Sequence, residues 1–325
     1  MPAARLRLGR RAYDEKMTGI TSPEHELAAV NTDTDVCVLS GATWRAREAE
    51  HARRADAATA QWRARRRSHE PDPTEDFLYT YYPTKPSLLR RWHPGAAVVL
   101  EDAAHEPRAS WTWYRCDADG SVRVNVGAYL AERGATVDFV AEFFQRTLAA
   151  RPALGCWGMH EWAMVYRQAP GTHRHPIPLR LGEAATDRVV EATPLMCTHF
   201  DAFRFFTPGA RPLNARQLTR EGQPAADQPG CLHANMDVYK WASKLGPLIP
   251  GELLLDTFDL ARRIRVVDMR ASPYDVRVLG LDPIPVETPE GRHDYAQLQQ
   301  GFATEAQKLR TRVLGAIERA RAVAG

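Results

Sequence analysis

The chain has 325 residues, 44% hydrophobic and 26% charged, which is ordinary for a globular protein and excludes general disorder, a fibre or a short peptide. Lys and Arg outnumber Asp and Glu by 43 to 40, and a net charge of +3 does not by itself demand a polyanionic partner. No apolar run reaches the roughly 18–20 residues of a membrane span, and the opening Met1-Pro2-Ala3-Ala4-Arg5 lacks the apolar stretch of a secretory signal, so a cytoplasmic protein outside the membrane is expected.

Residues 1–40 are polar and without periodicity, and are read as a flexible N-terminal arm preceding one domain over 41–325. From Ala42 to His69, Trp44, His51, Ala55, Ala58 and Trp62 recur at helical spacing, in an Arg-rich segment that ends in Arg65-Arg66-Arg67 and is stopped by Pro71 and Pro73. Alternation around Ala97–Glu101, Ser110–Arg115 and Ser121–Val126 predicts short strands, with Asp117-Ala118-Asp119-Gly120 as a hairpin turn. Thr136 is the expected cap of a helix carrying Val137, Val140, Phe143, Phe144 and Leu148. A short helix is expected over Gly158–Arg167, a strand over Arg188–Thr198 and a surface loop over Gln217–Pro229.

Asn235 is the expected cap of a helix through Leu245, followed by a second from Pro250 to Ile264. Asp268-Met269-Arg270 then reads as a strand before a Ser272-Pro273 turn. The longest stripe, Tyr295, Leu298, Phe302, Leu309, Val313, Ile317 and Ala320, predicts a long C-terminal helix. Together these give a helix-rich α+β fold with a small, mainly antiparallel sheet. The five cysteines are odd in number, scattered and never in a C-x-x-C pair, so free thiols are expected.

Candidate chemistry lies where histidines meet carboxylates. His160 adjoins Glu161, His199 is two residues before Asp201, and His233 is four before Asp237. A carboxylate fixes an imidazole's tautomer and raises its basicity, which suits either metal ligation or acid–base catalysis. H-E-x-x-H fails at its second His, and the P-loop, dinucleotide and G-x-S-x-G signatures are absent. If the three pairs serve one site, His160, His199 and His233 converge on one cleft. The bland alternative for each is a satisfied core histidine.

The strings Arg90-Arg91-Trp92-His93-Pro94-Gly95, Gly158-Met159-His160-Glu161-Trp162-Ala163-Met164-Val165-Tyr166, His199-Phe200-Asp201-Ala202-Phe203-Arg204-Phe205-Phe206 and His233-Ala234-Asn235-Met236-Asp237-Val238-Tyr239-Lys240-Trp241 resemble an actinobacterial-type family often labelled 3-methyladenine DNA glycosylase. The resemblance spans most of residues 75–295 and brings no catalytic residues with it. It implies hydrolysis of an N-glycosidic bond, in a nucleoside or in alkylated DNA, without a cofactor. Aromatic faces would stack on a cationic flipped purine, and a carboxylate would steady an oxocarbenium-like state.

On that reading Glu161 and Asp201 are the catalytic carboxylates, with His160 and His199 beside them. Arg90, Arg91, Trp92, Trp162, Arg204, Tyr239 and Arg270 would bind substrate, and Arg65, Arg66 and Arg67 phosphate. The alternatives are a metalloenzyme holding a divalent transition metal on His160, His199, His233 and Asp237, with a small aromatic substrate, and a non-catalytic nucleic-acid or protein-binding module.

Overall fold

The computed structural model describes residues 36–82 and 84–324, which form eleven α-helices and a four-stranded sheet. Strand β1 (Cys37–Leu39) leads into α1 (Gly41–Ser68), capped by the Ser40 hydroxyl on the Thr43 amide and closed by His69 in the left-handed region at φ 58°. Short α2 (Asp76–Thr80) and α3 (Pro86–Leu89) precede β2 (Val98–Leu100), β3 (Tyr114–Cys116) and β4 (Val122–Val124). The strand order is β1-β2-β4-β3. Only the β1–β2 pairing is parallel. The β3–β4 hairpin turns at Asp117–Gly120, where the Asp119 carboxylate accepts from the Ser121 amide and only Gly120 takes a positive φ, at 80°.

The rest is helical: α4 (Val126–Ala149), α5 (Met159–Ala163), α6 (Glu183–Ala192), α7 (Phe200–Phe203), α8 (Gln223–Ala226), α9 (Leu232–Lys244), α10 (Gly251–Ala271) and α11 (Pro289–Ala324). The core is an α9, α10, α11 bundle, with α4 laid against α11. The C-terminal stripe faces inward as its period predicts, with Leu298 alone remaining 37% exposed. All five cysteines are free thiols. No helix among the described residues is long and apolar enough to cross a membrane.

Several local expectations differ from the structure. Residues 1–35 of the expected arm lie outside the described residues, whereas Cys37–Leu39 joins the sheet beside β2. Helix α4 starts ten residues before Thr136, because the Asn125 side chain caps it and Val126 and Tyr129 are already buried. Arg188–Thr198 is not a strand: Thr186 and Val190 are buried four apart on α6, and beyond that helix only Leu195 bridges to Asn214.

Asp268 is not on a strand either. Leu260, Ile264, Val267 and Ala271 are all buried, so one helical face carries α10 past it to Ala271. Asn235 sits inside α9, four residues beyond the N-cap Cys231: its amide donates to the Pro229 carbonyl and its oxygen accepts from Arg310. Gln217–Pro229 is no simple surface loop, since Gln223, Asp227 and Gln228 are buried and make side-chain hydrogen bonds.

Candidate functional site

Short helix α5 presents His160 and Glu161 to the bundle interior, starting at Gly158 with φ 73°; a β-carbon there would press on Ala271 and Tyr295. His199 is the residue before α7 and Asp201 lies within it. Helix α9 carries His233, Asp237 and Lys240 at spacings of four and three, which places them along one face. Helix α10 adds Arg265 and Asp268, also three apart.

These segments meet in one buried centre. The His160 and His233 rings lie edge to face with centroids 4.5 Å apart, and His233 stacks beside His199 at 5.6 Å. His160 Nε2 is 2.8 Å from Asp268 Oδ1, and its Nδ1 faces Cys156 Sγ at 3.7 Å. Arg265 Nη1 donates to the other Asp268 oxygen at 2.6 Å and to Glu161 Oε1 at 2.9 Å. On the far side of His233, His199 Nδ1 contacts the Asp227 carboxylate at 2.9 Å, itself also held by Gln223. Lys240 Nζ joins Asp201 and Asp237 at 2.9 and 2.8 Å, and Tyr82 donates to Asp237 at 3.0 Å.

The electrostatics follow from these pairings. Burial alone would push the His160 imidazole down, but the Asp268 charge and hydrogen bond outweigh it and raise it well above the ordinary histidine value. His199 is raised in the same way, against burial, by Asp227 and then Asp237. His233 has no carboxylate of its own, so burial and the charge of His160 drive it well below the ordinary value.

Burial would raise Asp268, yet His160 foremost, through its charge and hydrogen bond, and then Arg265 hold it far below the usual carboxylate range. Burial likewise opposes ionisation of Asp201, and Lys240 foremost, with His199 and Tyr81, overcomes it.

Two groups of ligand atoms lie within 4.8 Å of one another: His160, His233 and Asp268, and His199, Asp201 and Asp237. In the first, Asp268 and His160 each have a further partner, Arg265 and Cys156, that fixes their orientation. The order Cys156, His160, Asp268 is also that of a thiol, base and orienting carboxylate.

The predicted convergence of His160, His199 and His233 therefore holds in space, together with Glu161, Asp201 and Asp237. The predicted catalytic carboxylates are already spoken for: Glu161 by Arg265, and Asp201 by Lys240, Arg204 and Arg220. Trp92 and Trp162 are 1% and 0% exposed and donate to Glu252 and the Ala271 carbonyl, so both serve the core. Tyr239 shares a hydrogen bond with Thr84, and Arg270 donates to the Asp282 carbonyl. Arg90 pairs with Asp56, Arg91 lies over the Trp111 ring, and Arg65 is held by Asp72 and Glu75.

Asp268, which the sequence offers with Arg270 as a possible substrate contact, completes the centre together with Asp227, Arg265, Lys240 and Cys156, to which local spacing does not point. The local signal for Asp268 is Arg265 three residues earlier, since that spacing brings the two together on one helical face. Set against protein-family models, curated proteins and solved structures, the chain matches none of them.

Proposed function

We propose that the protein is a metal-dependent enzyme in which His160, His233 and Asp268 hold one divalent transition-metal ion. The observation that carries this reading is the convergence of three buried side chains, His160, His233 and Asp268, whose ligand atoms all lie within 4.8 Å of one another. Two imidazoles and one carboxylate form a ligand set that leaves positions open for water, oxygen or substrate. A bound ion would supply Lewis acidity and an activated water there. The chain's own groups orient the ligands: Arg265 fixes the second Asp268 oxygen and Cys156 faces His160 Nδ1. With all three ligands buried, the substrate class is small molecules rather than polymers.

The test is elemental analysis of the chain purified without chelators, then titration of the chelator-treated chain with Zn²⁺ and, anaerobically, with Fe²⁺. One ion per chain is expected, with affinity lost about 100-fold or more in His233→Ala and Asp268→Asn. Absence of binding, or binding unchanged in both variants, overturns the reading.

A second reading, N-glycosidic hydrolysis as the family resemblance implies, is favoured by the aromatic group beside Asp201 and Asp237. There Tyr82 donates to Asp237 and packs edge-on to Tyr81 and Tyr239, and Tyr81 stacks on Phe77. Its measure is base release from alkylated DNA and from nucleosides by the wild type, Asp201→Asn and Glu161→Gln. Release that falls about 100-fold or more in either variant supports it, and no release by the wild type refutes it.

A further inference from the structure

A second ligand set lies one imidazole away from the first. His199, Asp201 and Asp237 are 0%, 5% and 1% exposed, and their ligand atoms lie within 4.8 Å of one another. Two buried carboxylates side by side require a cation, and Lys240 Nζ provides it, at 2.9 Å from Asp201 Oδ2 and 2.8 Å from Asp237 Oδ2. Lys240 thereby occupies Asp237 Oδ2, the carboxylate oxygen that His199 Nε2 faces. His199 Nε2 is accordingly left without a hydrogen bond, fully buried and 3.7 Å from Asp237 Oδ2, while Nδ1 is fixed by Asp227. An imidazole held through one nitrogen by a carboxylate, with the other aimed at two further carboxylates, has the posture of a metal ligand.

We propose that His199, Asp201 and Asp237 form a second divalent-cation site, distinct from His160, His233 and Asp268, which Lys240 fills with its ammonium in place of the ion. Arg220 holds the outer oxygen of Asp201, Oδ1, at 3.0 Å, so Oδ2 alone changes partner when Lys240 leaves. The Lys240 side chain is 19% exposed on a flexible stem, which lets its head withdraw to water without moving α9. Lys240 thereby sets the occupancy of this second site: no ion with the ammonium in place, one with it withdrawn.

The site is tested apart from the first centre, in full-length chain carrying His233→Ala and Asp268→Asn, by equilibrium dialysis against Zn²⁺ with elemental analysis. Adding Lys240→Met is expected to raise bound zinc by about one equivalent, and adding His199→Ala is expected to remove it again. No gain with Lys240→Met, or a gain that survives His199→Ala, overturns the proposal whether or not the first centre binds metal. Should Lys240→Met fail to fold, acetic anhydride labelling of Lys240 in the wild type gives an independent measure. Saturating Zn²⁺ is expected to raise labelling at least about threefold as the amine is expelled, and labelling indifferent to zinc refutes the proposal.

Discussion

Arg265 offers the sharpest test of the electrostatic reasoning. It is 1% exposed and one guanidinium nitrogen serves both Glu161 and Asp268, with Asp268 shared further by His160. Two carboxylates are thus balanced by one guanidinium and one imidazolium. Arg265→Met keeps much of the volume and removes a positive charge, leaving two buried carboxylates with His160 alone. Breaking a buried pair by deleting one partner costs about 3–5 kcal/mol.

For a domain of this size the entropy of unfolding is roughly 0.6 kcal/mol per kelvin, so the melting temperature should fall by about 5–8 °C. Glu161→Gln in the same chain restores charge balance, and the double variant should recover at least about 1 kcal/mol relative to Arg265→Met. Calorimetry and urea titration of the four chains of this cycle measure both terms. A single variant as stable as the wild type, or a double variant that is merely the sum of the two singles, would falsify the account of the centre as a charge-balanced network.

Acid stability should depend on His93, which burial and then Arg108 and Arg91 push down to about 3, and which hydrogen-bonds Tyr114. The folded chain keeps this imidazole neutral while the unfolded chain protonates it below about 6.5, so stability is lost as pH falls from about 6.5 to 3, by up to about 4 kcal/mol. His93→Gln should flatten that part of the urea-midpoint profile, and a profile parallel to the wild type would count against it. Stripping metal from the His160, His233, Asp268 centre should lower the melting temperature by about 5–8 °C where the ion had been present at about a thousandfold its dissociation constant; an unchanged melt after verified metal loss would contradict ligation. Cys156→Ala should weaken zinc binding about 10-fold yet leave about one equivalent bound, because it orients His160 rather than ligating; complete loss in dialysis would assign the thiol a ligand role.

Within α11, Gly291→Ala would drive a β-carbon into the Pro285 backbone and should destabilise by more than about 2 kcal/mol. Gly301→Ala, with open space around it, should stabilise by about 0.5–1 kcal/mol; denaturation midpoints moving in the same direction would refute this reading of helix packing.

Features that depend on neighbours a few residues apart are legible in the amino-acid order. The period of Tyr295, Phe302, Leu309, Val313 and Ile317 specifies the long helix, because one face must be apolar to be buried, and Asp117–Gly120 specifies its hairpin through local turn geometry. The convergence of His160, His199 and His233 could be anticipated from their chemistry, since each lies near a carboxylate.

Which carboxylate serves which imidazole was decided only by packing. His160 takes Asp268, 108 residues away, and not the adjacent Glu161; His199 takes Asp227 rather than Asp201; His233 takes none. The same holds for the cations: Arg265 reaches Glu161 across 104 residues, and Lys240 on α9 neutralises Asp201 on α7. A buried charge is stabilised by whatever opposite charge the tertiary fold delivers within hydrogen-bond reach. That partner is fixed by how α5, α7, α9 and α10 pack, a long-range property that no local spacing encodes.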